Sequence, residues 1–447
     1  DTLERLARFG RACLGTLEEQ QSVASDLGLQ QLFFDYGKYL LLASSRNGSQ
    51  PANLVGIWAE GMSAPWAGDY HLNINIQMMY WAAEALNLDD AAEPLPSFVS
   101  ALANRGENAA QCLYGAPEGW VAHGFTDIWM NARPLGDAMW ALCPTCGAWL
   151  ALHLWERFAF RRDYGRLRSE VLPVLGGAVA FFLHYLAPLG PHGSLVTGPA
   201  HSPENSYYLP PPVNGFFHVT LGPSIDTAIL FALFDAFVSG CRAAGCLGPG
   251  PAHAGCGPTL CHLASHANES QQLLPNFGFP YVDKAGRVLE YLRSLEEMHA
   301  HTVPDPGHRH FSHLWALHPG DQISRRGTPA LFEAARRSLD HRIAHGGAHT
   351  GWSAAWAACL YARAGDGNGT QRMLEKVLGR YAMGNLLTTH PPLEKPPPGQ
   401  GQDECVTCFR EPPPPPDALY WGMRGSATRG LGALVTADNA KFQLDAN

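Results

Sequence analysis

Residues 94–115, PLPSFVSALANRGENAAQCLYG, decide the fold class. Phe98, Leu102, Ala109 and Leu113 recur at spacings that place them on one face of an α-helix. Gly115 stands where such a helix stops, because glycine takes the left-handed conformation without a Cβ penalty. The same period runs through residues 29–44, where Leu29, Leu32, Phe33, Tyr36 and Leu40 form an apolar stripe. Helical patterns also cover 77–86, 147–160, 171–187, 224–245, 328–346, 353–365 and 369–382. Alternating strand signals are sparse. Long connections rich in Trp, His, Asn, Pro and Gly join these helices, and polar, aromatic loops on a rigid scaffold are where binding concentrates. Paired helices with such loops predict an all-α chain, an (α/α)6 barrel or toroid. A plain helical repeat is the alternative, but no fixed sequence period supports it.

The chain has 447 residues, enough for a large core. A hydrophobic share of 46% against 16% charged excludes a disordered chain. Acidic residues number 40 and basic ones 31, and the net charge of −9 argues against a nucleic-acid groove. No apolar run reaches the roughly 18 residues of a membrane span, so none is expected. The chain begins at Asp1 and shows no signal peptide, which reads as a missing start. Three sequons, at Asn47, Asn268 and Asn368, permit a secreted or extracellular protein without establishing one.

Eleven cysteines leave at least one without an intrachain partner. Two C-x-x-C pairs occur, Cys143/Cys146 and Cys405/Cys408, too far apart for a paired zinc site. Cys246, Cys256 and Cys261 sit among many Gly and Pro, a pattern of an irregular surface insertion rather than a zinc knuckle. No metal and no cofactor is expected. Phosphate-loop, G-x-S-x-G and H-E-x-x-H motifs are absent. Residues 391–416 are Pro-rich and read as an extended insertion.

Four segments could carry chemistry. In 72–76, LNINI, spacing of two puts Asn73 and Asn75 on one face of an extended stretch, where two amides could hold a water or a carboxylate. The plainer reading is two turn or capping amides before a helix. In SPENSYY, Glu204 lies between Pro203 and Asn205 with tyrosines nearby, a setting that could raise a carboxyl pKa for general-acid work; most loop glutamates are simply solvated. In PDPGHRHFSHL, His308, Arg309, His310 and His313 could bind an anion or a polyol, and the central Arg disfavours metal. In GWVAHGFTDIWM, Trp120, His123, Thr126, Asp127 and Trp129 offer aromatic faces beside short polar groups, which suits sugar rings; core tryptophan is the alternative for some of them.

Taken in order, these segments resemble glycoside hydrolase family 95, the inverting α-L-fucosidases, and its plant-like members in particular. The resemblance runs from YGKYLLLASSRNGSQPANLVGIW through LNINIQMMYW, GWVAHGFTDIW, SPENSYY, PDPGHRHFSHL, PGDQIS and TGWSAAW to THPP, about residues 30–392. It implies an (α/α)6 barrel without the family's flanking β-domains and incomplete at its C-terminal end. It implies a general acid at Glu204, assisting amides at Asn73 and Asn75, and substrate contacts at Arg309 and His310. His71, His123, Thr126 and Trp129 match pocket segments. The general base maps to Asp445 in the terminal KFQLDAN, if residues 394–440 interrupt a motif that begins at THPPL.

The domains expected on this basis are 1–29 as an N-terminal linker or helix, 30–393 as the catalytic barrel, 394–440 as a Pro-rich insertion, and 441–447 as the base-bearing remnant. The expected partner is a fucosylated oligosaccharide or glycan, with no nucleic acid. Removal of α-L-galactose, a catalytically impaired glycan binder, and a structural α/α repeat whose Pro-rich segment binds partners stand as alternatives. Two departures stand out. Gly124 replaces a second histidine of the family pattern, and CPTCG (143–147) replaces a WPMGG-like turn.

Overall fold

The computed structural model describes residues 2–13, 17–59, 61–189, 193–209, 211–212, 214–247, 258–275, 282–292, 305–388 and 390. Asp445, Cys405, Cys408 and the Pro-rich segment lie outside them. Helices dominate, as the periodicity requires, and the only paired strands among the described residues are three short antiparallel ladders. The chain divides into two compact units. Among the described residues, one gathers those up to 39, 306–311 and 339–390; the other gathers 40–305 and 312–338.

In the first unit, α1 (Thr2–Cys13), α2 (Leu17–Ala24) and α3 (Leu27–Ser44) begin the chain. Phe9, Ala12, Val23, Ala24 and Leu29 are buried in one cluster with Leu378, Ala382 and Leu386. Residues 1–29, expected as a linker or helix, are helical where described and supply core side chains, and Arg5 and Arg8 both pair with Asp26. Helix Gly351–Ala364 packs on helix Gly367–Lys376. Thr350 caps the former by accepting from the Ser353 N–H, and Gly365 ends it at φ 73°.

The second unit holds α4 (Asn75–Tyr80), α5 (Asp89–Ala92), α6 (Pro94–Tyr114), α7 (Ala138–Ala141), α8 (Cys146–Arg161), α9 (Tyr164–Arg166), α10 (Leu172–Tyr185), α11 (Ser224–Ala243) and α12 (Pro258–Leu273). Helices α6, α8 and α10 pack around Trp120, which is buried and donates Nε1–H to the Val174 carbonyl at 2.9 Å, and α11 packs on α8 and α10. Three glycines make room for the indole. A Cβ at Gly106, Gly147 or Gly177 would lie 3.1, 2.8 or 2.7 Å from a Trp120 ring carbon. Tyr70–His71 (β1) pairs with Phe125–Thr126 (β2), in the register Tyr70 to Thr126 and His71 to Phe125.

Several expectations change. The helix expected over 77–86 is α4, which ends at Tyr80; residues 81–87 follow as turns, and Asn87 takes φ 55°. LNINI is not extended. It is a turn after β1 that enters α4 at Asn75, where the Met78 N–H already donates to the Ile74 carbonyl at 2.8 Å. Part of the supposed surface insertion is α12, which buries Ala264 and Ala267 and packs on α10 and α11. The first C-x-x-C is a disulfide, Cys143–Cys146, and Cys246 is disulfide-bonded as well. Two helical stretches, Tyr164–Tyr185 and Ser224–Ala243, do reach the length and hydropathy of a membrane span; 56% and 78% of those apolar windows are buried within the fold, as core helices require.

Candidate active site

Glu204 sits on a tight turn. Asn205 N–H donates to the Ser202 carbonyl at 2.8 Å, with Pro203 and Glu204 between them. Proline before Glu204 supplies the fixed φ that the second position of such a turn favours. Residues 200–203 and 205 are buried, and Glu204 alone in that run is partly exposed. Asn73 Nδ2 donates to Glu204 Oε1 at 2.8 Å across 131 residues of sequence. The Asn73 amide therefore serves a carboxyl and not the following helix, whose N-cap, Ile74, has no side-chain cap. Asn75 lies one residue further on, half-buried at the first position of α4.

Burial surrounds this pair with neutral polar groups. His201 has no exposure; burial pushes its imidazole down to about 4, against the opposing effects of its contact with the Leu142 carbonyl and the nearby Glu204. The Nδ1–H is the donor to that carbonyl, so Nε2 carries the lone pair. His123 is pushed down to about 3 by burial and by His201, and its Nε2 lies 3.0 Å from the Tyr114 hydroxyl. Both rings are neutral at neutral pH. Asn73 Oδ1, Thr126 Oγ1, His123 Nδ1, His201 Nε2 and His218 Nδ1 are buried with no protein partner. A buried polar atom left unpaired costs about 1–3 kcal/mol, and this group is rich in the donors and acceptors that a hydroxylated ligand would satisfy.

The remaining candidates occupy distinct positions. His71 Nε2 lies 3.0 Å from Asp69 Oδ1, and its ring packs 4.6 Å from that of Phe125. Asp69 is buried, and burial raises its carboxyl pKa despite the His71 bond. Trp129 is 77% exposed, and its backbone N–H donates to Asp127 Oδ1 at 2.8 Å. Arg309 and His310 belong to the other unit. There His310 is buried, stacks on His308 at 5.3 Å and meets the Trp352 edge at 4.7 Å. Arg309 is half-buried, and its carbonyl accepts from Ser353 Oγ.

The tight turn has supports that no sequence motif announced. Glu290 receives Ser202 Oγ on Oε1 at 2.6 Å and Asn205 Nδ2 on Oε2 at 2.8 Å. Ser312 Oγ donates to the Pro203 carbonyl at 3.1 Å. Asp226, fully buried in the first turn of α11, receives Thr145 Oγ1 and Thr197 Oγ1, each at 2.6 Å. Thr145 lies inside the C-x-x-C loop, beside Pro144, so this carboxyl ties the disulfide loop to the segment leading into Glu204. Only the long-range pairing reveals these roles; a Glu in RVLEYL and an Asp in a helical stripe carry no signal of their own.

Residues 11–394 match the glycosyl hydrolase family 95 catalytic domain. The chain belongs to this family. Its fold class is the (α/α)6 toroid. Alpha-L-fucosidase 2 of Arabidopsis thaliana is 36% identical over 83% of this chain and 42% of that protein. Probable alpha-fucosidase A of Aspergillus niger is 30% identical over 76% of this chain and 40% of that protein. The chain thus spans less than half the length of these two relatives. Among solved structures, a putative kojibiose phosphorylase from the human microbiome gives a TM-score of 0.49 at 10% identity, over 78% of this chain and 51% of that one, too distant a likeness to argue from.

Within this family-95 domain, both departures from the pattern meet at one place. A Cβ at Gly124 would lie 2.7 Å from the Trp140 carbonyl and 3.3 Å from that of Ala141. Gly124 N–H donates to that Ala141 carbonyl at 3.1 Å, and the Cys143–Cys146 loop follows directly. The disulfide loop and the missing side chain at 124 belong to one local packing arrangement.

Proposed function

We propose that this chain is the catalytic domain of an exo-acting α-L-fucosidase that cleaves terminal α-L-fucose from glycans, 1,2-linked ones first among them, with inversion. The observation that carries the reading is the Asn73–Glu204 contact, which joins two family motifs across 131 residues. The printed names of the two curated relatives, both fucosidases, support the substrate class. Asn73 Oδ1 and His201 Nε2, buried without a protein partner on two neighbours of Glu204, suit a sugar's hydroxyls.

Glu204 is the general acid. The N–H of Asn73 holds the carboxyl at Oε1, and the carboxyl gives its proton to the glycosidic oxygen. Asp445 is the general base: it takes a proton from a water attacking the anomeric carbon from the opposite face, with Asn75 orienting that water. Inversion requires the two carboxyls about 6.5–9.5 Å apart, so that the water fits between them. His71, His123, Thr126 and Trp129 hold the sugar or the groups that touch it, with His123, without exposed surface, acting through the Tyr114 hydroxyl; Arg309 and His310 keep the substrate-contact role that the family resemblance implies for them. The catalytic barrel is residues 30–393, with 394–440 an insertion ahead of the base.

The test is hydrolysis of 2′-fucosyllactose followed by NMR of the released sugar. Wild type should release β-L-fucose first, and Glu204→Gln and Asp445→Asn should each fall by about 10²–10⁴-fold. Release of the α-anomer first, or full activity in Glu204→Gln, would overturn the assignment.

A further inference from the structure

We infer that Glu290 is a positioning residue for Glu204: one buried carboxylate that staples both ends of the turn carrying the acid. The inference rests on the fucosidase reading and adds to it a residue outside the family motifs considered above.

The geometry is specific. Ser202 and Asn205 are the first and last residues of the turn, and their side chains run to the two oxygens of the same carboxylate. Their backbones close the turn through the Asn205-to-Ser202 bond. A fork that grips both corners removes the freedom of the two residues between them, and Glu204 is one of those two. The fork is itself anchored. The Glu290 carbonyl accepts from both the N–H (3.0 Å) and the hydroxyl (3.2 Å) of Ser224, at the start of α11. Just upstream, Val288 accepts from Ser338 Oγ at 2.9 Å and bridges to Val282, and downstream the Tyr291 ring meets Tyr207 edge-on at 5.3 Å. Only 3% of Glu290 is exposed, so it cannot itself meet a substrate.

A residue that aims the acid should matter most where protonation of the leaving group limits the rate. Sugar leaving groups need that proton; an acidic phenol barely does. Misplacement of a catalytic group by about 1 Å costs about 100-fold. The experiment compares wild type, Glu290→Ala, Glu290→Gln and Glu204→Gln on 2′-fucosyllactose and on 2-chloro-4-nitrophenyl α-L-fucoside, with melting temperatures recorded alongside. Glu290→Ala should lose about 100-fold in kcat on the sugar substrate but under about tenfold on the aryl one, with KM on both within about threefold. Glu290→Gln, which still offers an acceptor to Asn205 and a donor to Ser202, should recover most of the loss. Equal losses on both substrates that track a lower melting temperature, or no loss on either, would overturn the positioning role.

Failure of the functional reading looks different: wild type cleaves neither substrate, or Glu204→Gln cleaves both at full rate. The staple is then judged by amide exchange at residues 204–206. Faster exchange confined to those amides in Glu290→Ala upholds it, and unchanged exchange refutes it.

Discussion

Replacing Asp226 by asparagine should make the protein more stable at neutral pH and leave it nearly unchanged in mild acid. The carboxyl is fully buried, and burial lifts it from its ordinary 3.8 to about 6, against the Thr145 and Thr197 hydroxyls that favour the charged form. A carboxyl whose folded pKa is raised costs nothing below pH 3.8, where folded and unfolded chains are both protonated. The cost grows as pH climbs from 3.8 to about 6 and is constant above. The rise corresponds to about 3 kcal/mol. A negative charge in the buried first turn of α11 recovers about 1 kcal/mol of this from the helix N-terminus, leaving a net cost of about 2 kcal/mol. Asparagine has the shape of the protonated acid, with one acceptor and one donor for the two threonines, and does not titrate. Urea unfolding of both proteins at several values between about pH 4 and pH 8 measures the difference, in which groups common to both cancel. The variant's advantage should be near zero at about pH 4 and rise to about 2 kcal/mol by pH 7. A difference that does not change with pH, or one that favours wild type more as pH rises, would refute the assignment of a buried charge at this position.

Other consequences are equally direct. Gly124→Ala must push against the Trp140 carbonyl, 2.7 Å from the new Cβ, and should lower stability by about 1–3 kcal/mol in thermal or chemical unfolding. Asn73→Ala removes the donor to Glu204; kcat on a fucosylated glycan should fall about 10- to 100-fold with the melting temperature little changed. Trp129→Ala deletes an aromatic face that is 77% exposed. Stability should be untouched, while KM on a glycan rises about fivefold, the equivalent of about 1 kcal/mol of ring contact.

What the sequence determined by itself is local. Periodic apolar residues marked α3, α6, α8, α10 and α11, and Gly115 marked a helix end, because helix formation depends on neighbours three and four residues away. Its ordered motifs also pointed to family 95, which the match over residues 11–394 bears out. Periodicity misled where tertiary structure overrode it. LNINI alternates like a strand but turns, since α4 begins at Asn75 and the Met78 N–H bond to the Ile74 carbonyl takes the chain out of an extended path. Likewise Cys, Gly and Pro around 246–261 looked irregular, yet a helix starts at Pro258 and buries alanines against its neighbours.

Only tertiary packing decided which polar groups meet. Asn73 reaches Glu204 across 131 residues, Glu290 reaches Ser202 across 88, and Asp226 reaches Thr145 across 81. No local pattern encodes such pairs. Each forms because a carboxyl taken out of water must find donors, and the donors available are those that helix packing brings to the same place.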